Sequence, residues 1–205
     1  PEAVPLLAPR GLGGPAAFAK QVHGAAVLRA ETGGCAGHGD ALATARRGLP
    51  LAISTADCLP IVLYDARAGR LAAVHAGWRG TVQSVTWAAV ADLVASGSAV
   101  ADLVVAIGPS IGPCCYEVDA PVIERFAAAF PDTWEAWMTP KGPGKWMLDL
   151  WRANLDQLTG AGVRPDRVDH LGLCTGCRPD LLFSYRRERG AGRLVTVAAL
   201  PERAC

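Results

Sequence analysis

The clearest pattern of apolar and polar positions lies between Ala56 and Gly80. Ile61-Val62-Leu63-Tyr64 and Leu71-Ala72-Ala73-Val74 are short apolar runs separated by Asp65-Ala66-Arg67-Ala68-Gly69-Arg70, a loop with Gly near its end. Two such runs around a short Gly-containing loop predict a β-hairpin. With Asp65 opposite Arg70, Tyr64 faces Leu71 and Pro60 faces His75. Residues two apart on a strand share a face with the residues opposite them, so Cys58 and His75 become diagonal neighbours. A one-residue slip would separate them.

Elsewhere the period changes. Beyond Gly80, the apolar residues Val82, Val85, Ala89, Leu93 and Val94 recur at helical spacing and predict one long helix. Asp119-Ala120-Pro121 reads as a helix start, with Val122, Ile123, Phe126, Ala127 and Phe130 as its buried stripe. A further helix is expected over residues 148–159. Strands are expected at 25–29, 102–107, 168–173, 181–185 and 193–200. Residues 14–20 allow at most a short helix, and 32–40, with Gly33, Gly34, Gly37 and Gly39, read as loop. Helices and strands interleave, yet the hairpin is antiparallel. The expected fold class is α+β: a single domain over residues 1–205, with central mixed β-sheets flanked by helices and the hairpin carrying the site.

Composition narrows the class. Of 205 residues, 51% are hydrophobic and 19% charged, which suits a packed core and excludes disorder. The net charge of +1 gives no global field for nucleic acid or acidic membranes, so neither is expected as a partner. The apolar region 82–111 is broken by Asp92 and Asp102 and does not read as a membrane span. The seven cysteines are odd in number and include the adjacent pair Cys114 and Cys115, unlike a secreted disulfide framework. With no basic-then-apolar leader in view, the expected location is the cytoplasm.

Reactive side chains concentrate at the hairpin. The only histidines are His23, His38, His75 and His170. His23 precedes Gly24, which permits close backbone approach, and with Cys58 and His75 it makes a His/Cys/His set. Three protein ligands leave a fourth position open, the arrangement of catalytic zinc. Without metal, Cys58 and His75 form a nucleophile and base. Arg79, next to Trp78, suits bidentate grip of phosphate or carboxylate, and Arg186, Arg187 and Arg193 add further guanidiniums. Asp40 and Asp57 are the acids nearest the set, and Asp57 is expected to hold structure by hydrogen bonding. The six tryptophans are expected in core and helix packing, with Trp78 alone placed to stack on a ring. Cys174-Thr175-Gly176-Cys177 is a C-x-x-C with no second such motif, and Cys114 and Cys115 read as packing residues in a turn.

Several motifs resemble one family in order along the chain: Gln-Val-His-Gly at 21–24, Thr-Ala-Asp-Cys-Leu-Pro at 55–60, His-Ala-Gly-Trp-Arg-Gly at 75–80 and Ile-Gly-Pro at 107–109. Cys-Thr at 174–175, Phe-Ser-Tyr-Arg-Arg at 183–187 and Gly-Arg at 192–193 continue the match. The chain resembles the laccase-domain, YfiH-type family, long labelled multicopper polyphenol oxidases and later recognised as zinc-dependent purine nucleoside phosphorylases. In the family's usual closing pattern, Arg-Arg-Asp…Thr-Gly-Arg, an Asp and a Thr stand where this chain has Glu188 and Ala191. The resemblance implies zinc held by His23, Cys58 and His75, which also serve as the catalytic set. It implies phosphorolysis of adenosine, inosine, guanosine and methylthioadenosine, with deamination of adenosine. Nucleoside and phosphate are the expected partners, with Arg79, Trp78 and Arg186 as substrate contacts; the oligomeric state stays open. Two other chemistries fit the residues. One is a copper polyphenol oxidase holding Cu2+, although four histidines are few for a trinuclear cluster. The other is a Cys/His hydrolase or amidase of the peptidoglycan-editing kind.

Overall fold

The computed structural model describes residues 14–190 and 192–202. Five short strands come first: β1 (Ala17–Lys20), β2 (Val27–Arg29), β3 (Gly34–His38), β4 (Ala41–Thr44) and β5 (Leu51–Thr55). The hairpin strands β6 (Leu59–Asp65) and β7 (Arg70–Ala76) follow, then helices α1 (Trp78–Val82) and α2 (Val85–Ala95). The rest of the described chain carries β8 (Val104–Ile107), β9 (Glu117–Asp119), α3 (Ala120–Ala129), β10 (Met138–Gly142), β11 (Lys145–Leu148), α4 (Leu150–Gly160), β12 (Val168–His170), α5 (Tyr185–Glu188) and β13 (Leu194–Ala198).

A six-stranded mixed sheet runs β12-β8-β6-β7-β4-β2, and a four-stranded one runs β13-β5-β1-β3. A small antiparallel sheet, β10-β11-β9, completes an α+β fold. The hairpin is central to the large sheet and has the predicted register, with Asp65 opposite Arg70, Tyr64 opposite Leu71 and Pro60 opposite His75. Its turn is closed by the buried Asp65 carboxylate, which accepts the backbone N–H of Arg67 and Ala68 at 2.9 Å each.

Alternation along β7 divides the core. Ala72, Val74 and Ala76 face α2 and α4, together with Leu59, Ile61 and Leu63 of β6. Leu71 and Ala73 point the other way, against Ala17, Leu51 and Ile53 of the four-stranded sheet. His75 shares the parity of Leu71 and Ala73, so it stands where the core between the two sheets ends. A buried polar seam joins the helices: Thr86 Oγ1 bonds Asn154 Oδ1 at 2.7 Å, and Asn154 Nδ2 and Gln157 Nε2 donate to Thr81. No helix among the described residues is long and apolar enough to cross a membrane.

Four elements differ from the sequence expectations. Residues 17–20 are a strand and not a helix, because Ala17 and Ala19 bury into the inter-sheet core while Phe18 and Lys20 turn outward. The expected loop at 32–40 contains β3, whose Gly34 and Gly37 take positive φ of 106° and 126°. The long helix is two, since Ser84 sits in the left-handed region (φ 60°) and ends the first. Residues 181–185 form no strand but a turn leading into α5. Trp87 is 46% exposed, against the expectation that it packs in the core.

Candidate functional site

His75 at the end of β7, Cys58 just before β6 and His23 in the loop after β1 converge. One ligand atom from each lies within 4.8 Å of the others, and the two imidazole rings meet edge-to-face at 4.9 Å. The hairpin register brings in the first two; the third needs the four-stranded sheet. His23 has φ 61°, an uncommon backbone for a residue with a side chain, and is held there by its neighbours. Its N–H donates to Asp40 Oδ1 at 2.9 Å, and its carbonyl accepts from Gln83 Nε2 at 3.1 Å.

Asp40 organises the cluster. It is fully buried, and besides His23 it accepts the N–H of Val22 at 3.2 Å and of Gly24 at 2.7 Å on Oδ2. His75 Nδ1 approaches Oδ1 at 2.8 Å, which puts the imidazole proton on Nδ1 and leaves Nε2 for the cleft. A carboxylate behind a histidine in this way orients a metal ligand and raises its basicity. Burial works against the Asp40 charge, but His75 and the three backbone donors hold its carboxyl below the usual range. Burial likewise opposes the charges on Cys58 and His75. Even so, hydrogen bonds and charge from the histidines bring the Cys58 thiol down to about 7, and Asp40 and Cys58 raise His75 to about 9. Gly77 gives the sulfur its room: a Cβ there would stand 2.7 Å from Cys58 Sγ and 3.2 Å from His23 Cδ2.

These three residues floor a cleft of about 660 Å³ walled by Trp78, Arg79, Tyr116, Tyr185, Arg186 and Arg193. Each arginine lies over an aromatic ring: Arg79 on Trp78 at 4.6 Å, Arg186 on Tyr116 at 5.1 Å and Arg193 on Tyr185 at 6.0 Å. Asp57, with φ 87°, ties this wall together from below. Its carboxylate accepts Thr175 Oγ1 at 2.6 Å, Ser184 Oγ at 2.7 Å and the Arg186 N–H at 2.7 Å. Asp57 therefore has the hydrogen-bonding role the sequence suggested, and Trp78, Arg79 and Arg186 line one cleft with the His/Cys set. Tyr116, Tyr185, Gln21 and Ser54 were not singled out for the cleft; Gln21 clamps Ser54 through both backbone groups, at 2.7 and 2.9 Å. The nearest signal was position, since Tyr116 follows Cys115 and Tyr185 precedes Arg186. His38 is exposed on β3, and His170 packs edge-on against Trp151 away from the cluster. Ala191 lies outside the described residues. The cysteines read as unrelated, Cys114 with Cys115 and Cys174 with Cys177, in fact meet, because a parallel bridge pairs Ser110 with Cys174.

With this architecture in view, the chain belongs to the family described as multi-copper polyphenol oxidoreductase laccase, whose sequence model matches residues 7–201. It is 38% identical over 163 residues to the purine nucleoside phosphorylase YlmD of Geobacillus stearothermophilus, covering 76% of this chain and 58% of that protein. It is also 38% identical over 148 residues to adenosine deaminase RL5 from an unknown prokaryotic organism, covering 72% of this chain and 56% of that one. The chain thus spans well under two thirds of these two curated relatives. The crystal structure of YlmD from Geobacillus stearothermophilus superposes with a TM-score of 0.85 at 35% identity, over 91% of this chain and 73% of that one.

Proposed function

We propose that this chain carries the site of a zinc-dependent purine nucleoside phosphorylase that also deaminates adenosine. The observation that carries the reading is the convergence of His23, Cys58 and His75 on the floor of a cleft walled by three arginine–aromatic pairs. Two imidazoles and a thiolate suit zinc, and Gly77 and Asp40 are what such a set requires: space beside the sulfur and a carboxylate behind a histidine. Zinc held by His23, Cys58 and His75 would supply Lewis acidity at an open coordination position.

The residues of the chain supply the rest. Tyr116, Tyr185 and Trp78 offer flat apolar faces for a purine, and Arg79, Arg186 and Arg193 offer donors for phosphate. In phosphorolysis a phosphate oxygen bonds to the anomeric carbon while the glycosidic C–N bond breaks, its electron pair passing to the base. Negative charge therefore leaves the phosphate, and arginines placed on that side hold the reactant in line and offset its repulsion. Asp40 keeps the Nδ1 proton of His75 in place throughout.

The test is incubation of the zinc-loaded chain with inosine and phosphate. Hypoxanthine and ribose 1-phosphate are the expected products, and absence of free base from every purine nucleoside overturns the reading. A second reading rests on the Asp40–His75–Cys58 series, which is also the order of orienter, base and nucleophile in a cysteine hydrolase. Amidase activity that persists in chelator, with Cys58 labelled by a thiol reagent, would favour it. Near-stoichiometric copper in protein purified without added metal would favour the phenol oxidase instead.

A further inference from the structure

A second group of metal-binding side chains stands apart from the cleft floor. Cys114 and Cys115 lie in the turn after Pro113, and Cys174 and Cys177 in the loop after β12. The parallel bridge at Ser110 and Cys174 docks the two segments, with Ser110 N–H to Leu173 O at 3.1 Å and Thr175 N–H to Ser110 O at 3.0 Å. All four sulfurs lie within 4.8 Å of one another, Cys114 and Cys115 being 3.4 and 3.5 Å from Cys177. Four thiolates around zinc at about 2.3 Å form a tetrahedron with edges of about 3.8 Å. The two shortest separations lie within about 0.4 Å of that edge, and the rest stay within 4.8 Å. We propose that Cys114, Cys115, Cys174 and Cys177 form a second metal site, a closed tetrathiolate for zinc or a similarly soft divalent ion, which pins the 112–116 turn to the 174–187 segment.

Two features of the loops fit a ligand set better than ordinary packing. Gly176, inside the C-x-x-C, makes room for the sulfurs: a Cβ there would stand 2.8 Å from Cys115 Cβ and 3.0 Å from its Sγ. The Gly112 N–H points at Cys174 Sγ at 3.2 Å, the kind of donor that stabilises a thiolate. Burial opposes charge on Cys114, Cys115 and Cys174, but the Gly112 donor and the neighbouring thiols hold Cys174 below the ordinary value, whereas burial and the sulfurs of Cys174 and Cys177 push Cys114 and Cys115 up. A divalent ion reverses that balance and draws all four into the thiolate form.

The pinned segments carry part of the cleft wall. Tyr116 follows Cys115 directly, and Thr175 within the knuckle holds Asp57, which in turn holds the Arg186 backbone. Arg187 Nε donates to the Gly176 carbonyl at 2.8 Å and binds α5 to the same knuckle. With four protein ligands and no open position, this site is structural, and its effect on catalysis is to position Tyr116 and Arg186.

The test uses the full chain, purified anaerobically with thiols reduced, stripped of metal and titrated with Co2+ alone. Two equivalents are expected, one with the intense charge-transfer and tetrahedral d–d bands of cobalt tetrathiolate. Cys177→Ser should abolish that signature and one equivalent; His23→Ala should weaken the other equivalent and leave the signature intact. Should Cys177→Ser fail to fold, x-ray absorption of the zinc-loaded wild-type chain decides. Two loaded sites average about 2.5 sulfur ligands per zinc, against about one if only the cleft set binds. A single equivalent bound through four sulfurs keeps this site and removes the cleft one. Absence of the tetrathiolate signature, or a disulfide among the four cysteines in protein kept anaerobic, overturns the proposal.

Discussion

Asp40→Asn perturbs the proposed metal site without touching any of its three candidate ligands. In the native carboxylate, His23 N–H and His75 Nδ1 meet Oδ1, while Val22 and Gly24 N–H meet Oδ2. An amide has one acceptor oxygen, so either orientation turns its NH2 group onto two buried donors. Charge-assisted bonds of ~1.5–3 kcal/mol are lost and buried donors worth ~1–3 kcal/mol each go unpaired, which gives a destabilisation of ~3–5 kcal/mol. With the NH2 on the Oδ1 side, a neutral imidazole can relieve the clash only by moving its proton to Nε2, which removes the lone pair a metal would use. Metal affinity should fall by roughly 10- to 100-fold, or about 1.4–2.8 kcal/mol. Chelator competition at neutral pH measures the metal Kd, and urea unfolding of the metal-free chain measures the stability. Asp57→Asn is the control: that carboxylate is also buried and accepts three bonds, but none comes from the metal set. It should destabilise the fold and leave the metal Kd nearly unchanged. An Asp40→Asn protein that binds metal within about twofold of the wild type would refute the orienting role. The pH dependence has a definite sign. The folded-state carboxyl titrates below its ordinary value, so the stability from Asp40 is present above that value and lost as pH falls through the carboxylate range.

Three other outcomes follow from the same geometry. In the metal-free chain His75 titrates at about 9 and Cys58 at about 7, so filling the His23/Cys58/His75 site at pH 7.5 should release about one proton, mainly from His75, read by calorimetry in buffers of different ionisation enthalpy on Cys177→Ser protein, which lacks the four-thiol site. Zero release would contradict the charged His75, whose stabilisation is complete below its unfolded value of ~6.5 and lost as pH rises through about 9. Gly77→Ala keeps an allowed backbone (φ −82°) but sets a methyl 2.7 Å from Cys58 Sγ; metal affinity should drop at least about tenfold with circular dichroism unchanged, and native-like metal binding would count against the sulfur's placement. Arg79→Ala should raise the KM for phosphate by about tenfold or more, the loss of one charge-assisted contact, while the melting temperature stays put; an unchanged phosphate KM would move the anion subsite to Arg186 and Arg193.

The hairpin was legible because its information is local. Two apolar runs, a turn closed by Asp65 and a strict period of two determine which residues oppose one another, and so bring His75 toward Cys58 without reference to any other strand. The motifs around His23, Cys58, His75 and Arg79 are likewise short and contiguous, which is why family membership was visible before any fold. Local pattern failed where partners are remote. The glycines of β3 look like loop until β1 pairs with them, and residues 17–20 become a strand only against β5. Ser84 breaks a helix whose apolar period runs straight through it.

The cysteines mark the same boundary. Each pair is unremarkable in its own segment, and only a parallel bridge between segments far apart in sequence makes them four neighbours. Asp40 and Asp57 could be named from the chain as nearby acids, but the donors they satisfy come from remote segments, the 22–24 loop and β7 for Asp40, the loop after β12 and the start of α5 for Asp57. The sequence by itself determined the hairpin, its register and the residue types able to hold a metal, because those follow from spacing along one strand pair. The tertiary structure decided that His23, named beside them in the sequence, stands within 4.8 Å of Cys58 and His75, that Arg79, Arg186 and Arg193 wall one cleft and that four thiols converge, because contacts between remote segments depend on how the sheets and helices pack.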